Sequence, residues 1–310
     1  MSDAWILTEA YAGLQAQALG LTEAAGWQAA LRVLAPRAPW RFVPARLWPA
    51  PLAVVAEQVR GALPSLSVAC GGMGAAVGAA LRRRGVPVVQ IQNPRMDPRR
   101  FDVIVVARHD EMSGPNVVVT RTALHRVTPA RLHAEAERWR ERLAALPRPL
   151  VAVLVGGSNG RFRLDAAVAA SLADGLATMM RADNVGLALT PSRRTDPVAS
   201  RVLSDALAPF GGYVWDGSGE NPYFGMLALA DAIVVTTDSV SMISEAVATA
   251  APVLLAPLPG RSRRNGLFTA GLLADGRVRM FAGRLELWDA KPLDDTAAAA
   301  ADVRRRLGMG

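Results

Sequence analysis

Ala230-Asp231-Ala232-Ile233-Val234-Val235-Thr236-Thr237-Asp238-Ser239-Val240-Ser241-Met242-Ile243-Ser244-Glu245-Ala246-Val247, continuing through Ala251 to Pro252-Val253-Leu254-Leu255-Ala256-Pro257, is the stretch whose reading decides the fold. Ile233 to Val235 is a β-branched run and reads as a buried strand. The small polar residues from Thr236 to Ser241 form a turn. Asp238 or Ser239 can cap the following helix, because each oxygen can accept from N–H groups that the first turn leaves unsatisfied. Ile243, Val247 and Ala250 lie on one helix face and suit packing on a sheet, while Ser241 and Glu245 share another. Pro252 ends the helix and Val253 to Leu255 is the next strand. A helix N-terminus attracts anions such as phosphate. A carboxylate one turn in can accept hydrogen bonds from sugar hydroxyls. The plain alternative, a capped helix with a solvated Glu245, stays open on this stretch alone.

Working outward, the same alternation fills both halves of the 310-residue chain. In the second half, strands are expected at Leu150–Val155, Val185–Thr190 and Gly212–Trp215, with helices at Asp165–Arg181 and Asp196–Ala208. In the first half, strands are expected at Trp5–Thr8, Leu31–Leu34, Leu66–Cys70, Val86–Gln92, Asp102–Val106 and Asn116–Thr120. Helices are expected at Leu14–Gly26, Leu52–Leu63, Ala75–Arg84 and Pro129–Leu146. Pro36 to Pro51, rich in Pro, Arg and Trp, reads as an irregular surface segment. Pro147-Arg148-Pro149 breaks the pattern and is the expected boundary between domains 1–147 and 148–310, with the final helix (Asp294–Leu307) returning to the first. The expected class is α/β, two doubly wound Rossmann-like domains facing across a cleft.

Composition narrows the functions. Hydrophobic content of 51% and charged content of 20% describe a globular chain. The single cysteine, Cys70, excludes a disulfide framework and a cysteine-built zinc site. No signal peptide is evident and no apolar run approaches the ~18 residues of a spanning helix, so the cytoplasm is the expected location. The net charge of +8 is uneven: residues 1–148 hold 19 arginines against 11 acids, and the remainder balances. A basic first half suits an anionic membrane surface or a lipid-linked, phosphorylated acceptor, which keeps a peripheral position on the inner membrane open. No nucleic-acid motif accompanies it.

Gly156-Gly157-Ser158-Asn159-Gly160 has the G-x-S-x-G form of a nucleophile elbow. That chemistry needs a later histidine, and His109, His125 and His133 all come earlier. The better reading is a backbone cradle for a diphosphate, with Ser158 and Asn159 as extra donors. Gly72-Met73-Gly74 resembles a relaxed dinucleotide fingerprint, but the next strand ends in Gln90-Ile91-Gln92-Asn93 without the acid a ribose requires. Gly72 and Gly74 are therefore assigned to an acceptor loop. Arg193 and Arg194 follow a strand and could meet phosphate charge. His109 or Asp110, after a first-domain strand, is the candidate base.

Two resemblances add to this. Ser244-Glu245-Ala246 through Pro252 and Val253 resembles the donor half of two-Rossmann-domain (GT-B) glycosyltransferases, which implies that Glu245 holds a nucleotide ribose and Gly156 to Asn159 lie near the diphosphate. Over nearly the whole chain, Gly13 to Leu21, Gln90 to Arg95, His109 to Val117, Gly156-Gly157-Ser158, Thr190 to Thr195, Asn221-Pro222-Tyr223 and Thr237 to Met242 resemble the mitochondrial-fission "elongated mitochondria" family. Its bacterial members are often labelled nucleoside-diphosphate-sugar epimerases. The resemblance implies a GT-B-like fold and adds Gly13, Gln17, Gln92 and Asn93 to the acceptor side. Thr237, Asp238, Ser239 and Ser241, at the strand end and helix start, complete the nucleotide side. The expected substrate is a nucleoside-diphosphate sugar, with no metal and no further cofactor. The leading expectation is a GT-B glycosyltransferase. A non-catalytic recruitment protein and a nucleotide-sugar epimerase are the alternatives.

Overall fold

The computed structural model describes residues 4–309. The chain divides into two compact units, one of Met1–Arg126 with Asp294–Gly310, the other Val127–Leu293. Each is built on a six-stranded, all-parallel sheet. The Pro147 to Pro149 break lies inside the second unit, so the observed division comes 21 residues ahead of the expected one.

The first unit runs β1 (Ala4–Thr8), α1 (Ala12–Ala24), β2 (Ala29–Val33), α2 (Pro51–Val54), β3 (Leu66–Cys70), α3 (Gly71–Arg82), β4 (Val88–Ile91), β5 (Val103–Ala107) and β6 (Val117–Thr120). The strand order is β2-β1-β3-β4-β5-β6. β1, β3 and β5 are buried along their whole length, which is why they read as continuous apolar runs without alternation. Two 3-10 turns, Trp40–Phe42 and Ala45–Leu47, occupy the irregular segment. The helix expected over Leu52–Leu63 is only the single turn of α2.

The second unit runs α4 (Pro129–Leu143), β7 (Leu150–Val155), α5 (Ala166–Asp183), β8 (Gly186–Pro191), α6 (Pro197–Leu207), β9 (Tyr213–Val214), α7 (Tyr223–Leu229), β10 (Ala232–Thr236), α8 (Val240–Val247), β11 (Val253–Ala256), α9 (Arg263–Ala274) and β12 (Val278–Met280). Its order is β12-β11-β10-β7-β8-β9. The chain then ends in α10 (Thr296–Arg306), which packs Ala299, Ala300 and Val303 into the first unit's core beside Ala18 and Leu21 of α1.

Packing explains the position of α4. Its Trp139 and Leu143 are buried with Met226 and Leu227 of α7. The approach is close enough that a Cβ on Gly225 would sit 2.3 Å from the Trp139 ring, so glycine is required there. Ile243 and Val247 of α8 pack on the sheet as expected, whereas Ala250 lies past the helix end and is exposed. The end of α8 is closed by a buried arginine. Arg277 Nη2 donates to the carbonyls of Val247, Thr249 and Ala251 at 2.9, 2.8 and 3.2 Å. Burial lowers its pKa to about 10.

In each sheet the chain leaves the middle in both directions. The strand order reverses between β1 and β3 in the first unit and between β7 and β10 in the second. The carboxyl ends of such strand pairs splay apart and leave a crevice, the usual ligand position in open α/β sheets.

Candidate functional site

The sequence residues expected at a nucleotide gather at the second unit's reversal. Gly156 and Gly157 follow β7; Thr237 and Asp238 follow β10. The Asp238 side chain is fully buried. Its Oδ1 accepts from Thr236 Oγ1 at 2.7 Å. Its Oδ2 accepts from the Gly157 N–H at 3.1 Å and from Arg194 Nη2 at 2.8 Å. Thr236 Oγ1 in turn accepts from the Gly156 N–H at 2.8 Å. Asp238 thus ties two strand ends and the β8–α6 loop together, and the cap of α8 is Ser239, whose Oγ accepts from Met242 N at 3.4 Å.

The two glycines are required by this knot. A Cβ on Gly156 would lie 2.1 Å from the Asp238 carboxyl, and one on Gly157 would lie 2.1 Å from the Arg194 carbonyl oxygen. Thr195 adds a further tie by donating its hydroxyl to the Gly156 carbonyl. Asn265 of α9 supports the loop from the other side, donating to the Thr237 and Asp238 carbonyls at 3.3 and 3.1 Å.

Ser158 and Asn159 use their side-chain oxygens within the loop. Ser158 Oγ accepts from Leu164 N at 2.9 Å, and Asn159 Oδ1 accepts from Arg161 N and Phe162 N at 2.9 and 3.0 Å. Both fold the loop onto itself and pin its shape. Arg193 is exposed, whereas Arg194 is held by Asp238. Ser241 lies in the first turn of α8, and Glu245 sits one turn further, buried.

Glu245 has a partner that sequence reasoning did not assign it. The Tyr223 hydroxyl donates to Glu245 Oε2. Burial, then the Glu245 charge, push the Tyr223 phenol well above its ordinary range, so it remains a donor. Tyr223 begins α7, and its N–H is capped by Asn221 Oδ1 at 2.9 Å. The Asn221-Pro222-Tyr223 motif therefore aims a phenol at the carboxylate.

Of the residues expected on the acceptor side, Gly13, Gln17 and Gln92 are joined by hydrogen bonds. Gln17 Nε2 donates to the Gly13 carbonyl at 3.0 Å, and Gln92 Nε2 donates to Gln17 Oε1 at 3.3 Å. Gly72 and Gly74 open α3, where a Cβ on Gly74 would meet the Leu7 carbonyl at 2.5 Å. Asn93 turns inward on its own loop, accepting from Arg95 N at 2.9 Å. His109 is buried and Asp110 half-buried in a 3-10 turn after β5, two strands from the reversal.

The carboxylate at the reversal itself is Glu9, which the sequence reading passed over. It follows β1, and its Oε1 accepts from Met73 N at 2.8 Å in the first turn of α3. Cys70, at the N-cap of α3, makes no side-chain cap bond, so Glu9 caps that helix from another strand. Glu9 Oε2 is buried and has no hydrogen-bond partner among the described residues. Burial pushes its carboxyl above the usual range, against the opposing Met73 bond. Gln90 lies close by: its Nε2 reaches the Gly71 carbonyl at 3.4 Å and the Ile91 carbonyl at 2.6 Å, while its Oε1 is buried without a partner among the described residues. A lone acid after a strand carries no motif; only the strand order reveals its place.

Comparison with known proteins agrees with this architecture. The family model for mitochondrial fission ELM1 matches residues 12–307. The mitochondrial fission protein ELM1 of Arabidopsis thaliana is 36% identical over 274 residues, covering 79% of this chain and 64% of that protein, so the chain spans less than two thirds of it. An uncharacterised protein, RP120, of Rickettsia prowazekii is 23% identical over 283 residues, covering 78% and 79% of the two chains. Among solved structures, UDP-GlcNAc 2-epimerase of Neisseria meningitidis bound to UDP-GlcNAc superposes with a TM-score of 0.63 at 10% identity, covering 99% of this chain and 100% of the other. MurG of Acinetobacter baumannii superposes at 0.53 and 14% identity, covering 100% and 93%. The two units are Rossmann-like domains of a GT-B-like fold, and the chain belongs to the mitochondrial fission ELM1 family.

Proposed function

We propose that the chain is a sugar-transferring enzyme that binds a nucleoside-diphosphate sugar at the second unit's strand reversal. One observation carries this reading. A preformed glycine loop and the N-terminus of α8 meet at the carboxyl ends of β7 and β10, with the buried Glu245 carboxylate one turn along the same helix. The first-turn N–H groups of α8 suit a diphosphate. Glu245, steadied by Tyr223, suits the paired hydroxyls of a ribose. Asp238 is the organiser of the loop, because its oxygens already serve Thr236, Gly157 and Arg194. Arg193, exposed and outside the bond that ties Arg194 to Asp238, is the arginine suited to meet leaving-group charge.

The acceptor belongs to the first unit, where the buried oxygens of Glu9 and Gln90 call for a hydrogen-bond donor such as a hydroxyl. A carboxylate that burial disfavours as an anion is suited to take the proton of a hydroxyl bound to it. Glu9 thus replaces His109 and Asp110 as the preferred base.

The Neisseria structure holds UDP-GlcNAc, so uridine nucleotides are the first probes. At a hundred times its dissociation constant, a ligand adds roughly 2.7 kcal/mol of stability. UDP and UDP-sugars should raise the unfolding midpoint, and Glu245→Ala should remove most of that rise. An unchanged rise in Glu245→Ala would sink the ribose assignment. No rise with any nucleotide would favour a recruitment role without turnover. Product analysis with labelled sugar separates transfer from epimerisation.

A further inference from the structure

The segment between β2 and α2 folds into two 3-10 turns and presents apolar side chains to water. Trp48 is buried beneath it and donates its Nε1 to the carbonyls of Val43 and Trp40 at 3.0 and 3.3 Å. Those bonds fix the two 3-10 turns around the indole. The fixed turns leave Phe42 73% and Leu47 62% exposed. An aromatic and a leucine held outward cost hydration that a collapsed loop would avoid. The charges around them have one sign. From Ala35 to Arg60 the chain carries Arg37, Arg41, Arg46 and Arg60 against Glu57 alone. Glu57 engages Arg37 at 2.9 Å, and the Arg41 guanidinium stacks 4.5 Å over the Phe42 ring. Beside the turns opens a cavity of about 480 Å³ lined in part by Trp40, Arg37 and Arg60.

We propose that this segment is a membrane-docking surface, in which Phe42 and Leu47 enter the headgroup–acyl boundary of an anionic bilayer and Arg41, Arg46 and Arg60 meet lipid phosphates. The argument for a bilayer over a protein partner is complementarity: separate apolar tips interspersed with unopposed cations match a fluid anionic interface, and two weak signals together give stable peripheral binding. The excess positive charge of the whole chain lies in its first 148 residues, which include this segment. Among the described residues no helix is long and apolar enough to cross a membrane. The inference stands apart from nucleotide binding.

The test is co-sedimentation of the full chain with phosphatidylcholine vesicles, with and without phosphatidylserine, at low and high salt. The wild type should bind the anionic vesicles, and salt should weaken the binding. Phe42→Ser with Leu47→Ser should weaken it at least tenfold, and Arg41→Gln with Arg46→Gln and Arg60→Gln by roughly a hundredfold. All five side chains are exposed, so unfolding midpoints should stay within a degree or so of wild type. Failure to bind anionic vesicles overturns the proposal. So does binding that both variants retain, or a loss confined to the arginine variant, which would remove insertion of Phe42 and Leu47. Self-association that the Phe42 and Leu47 variant abolishes, in a chain that ignores vesicles, would assign the surface to a second copy.

Discussion

The two strand reversals share a plan and differ in what they leave unsatisfied. Each has a glycine directly after a central strand, Gly71 or Gly156, and a carboxylate packed against it, Glu9 or Asp238. In the second unit the carboxylate is saturated by a hydroxyl, a backbone N–H and an arginine. It serves as mortar, holding the loop after β7 in one shape. In the first unit one carboxylate oxygen caps α3 and the other is buried without a partner among the described residues. The two members exchange strands, Glu9 following its unit's first strand, β1, and Asp238 following the strand across the reversal, β10; one pair is a finished joint and the other an open demand for a donor. Buried polar groups are nearly always satisfied, so an exception points toward function.

The largest expected effect comes from breaking the finished joint. Asp238→Ala strands Arg194 and the Gly157 N–H and should cost about 3 kcal/mol in urea unfolding, the low end for a buried pair because Arg194 is partly exposed. A loss below about 1 kcal/mol would show that the knot is ornamental to stability. Next come the paired glycines. Gly156→Ala drives a methyl into a pinned carboxyl and should cost about 2–3 kcal/mol. Gly71→Ala meets a carboxylate that can swing away but keeps a φ of +81°, so about 1–2 kcal/mol is expected. The reverse ranking would mean that Glu9 is the more rigidly held of the two.

Tyr223→Phe should cost about 1 kcal/mol of stability. It should also blunt the preference for UDP over 2′-deoxy-UDP in thermal shift, because Glu245 loses its alignment. An undiminished preference would remove Tyr223 from the site. The smallest effect is expected at Glu9. Its folded pKa is raised, so the folded state holds the proton more tightly and stability falls as pH rises through the window above the unfolded pKa. Glu9→Gln keeps the bond to Met73 without the charge. It should raise the unfolding midpoint slightly at neutral pH, with the gain vanishing on acidification below the ordinary glutamate range. A lower midpoint at neutral pH would show that the open oxygen has a cationic partner.

Much of this was legible in the residues. The apolar runs of β7, β8, β10 and β11 and the turns between them placed the second unit's strands nearly to the residue, because parallel strands are buried on both faces. What failed were features decided by distant contacts. The Leu52–Leu63 helix stops at Val54 because Val54, Val55 and Val59 pack into the core as a turn and Gly61 takes a positive φ. The Pro147 break looked like a boundary, yet the Trp139–Gly225 contact attaches α4 to the second unit. Asp238 was visible as a cap and Glu245 as a carboxylate on a helix face. Their partners, Arg194 and Tyr223, lie 44 and 22 residues away and follow from strand order alone. Glu9 had no signal beyond its position at the end of a strand.

The placement of α10 has a consequence for how the molecule is made. The first unit's core includes Ala299, Ala300 and Val303, which follow the entire second unit in the chain. A ribosome moving from residue 1 onward therefore exposes α1 and the face it shares with α10 for the whole time needed to synthesise Val127 to Leu293. The domain that begins first is completed last. Cutting the chain before Asp294 should leave the second unit able to close its own sheet and the first with an apolar seam, a natural target for chaperones and proteases during biogenesis.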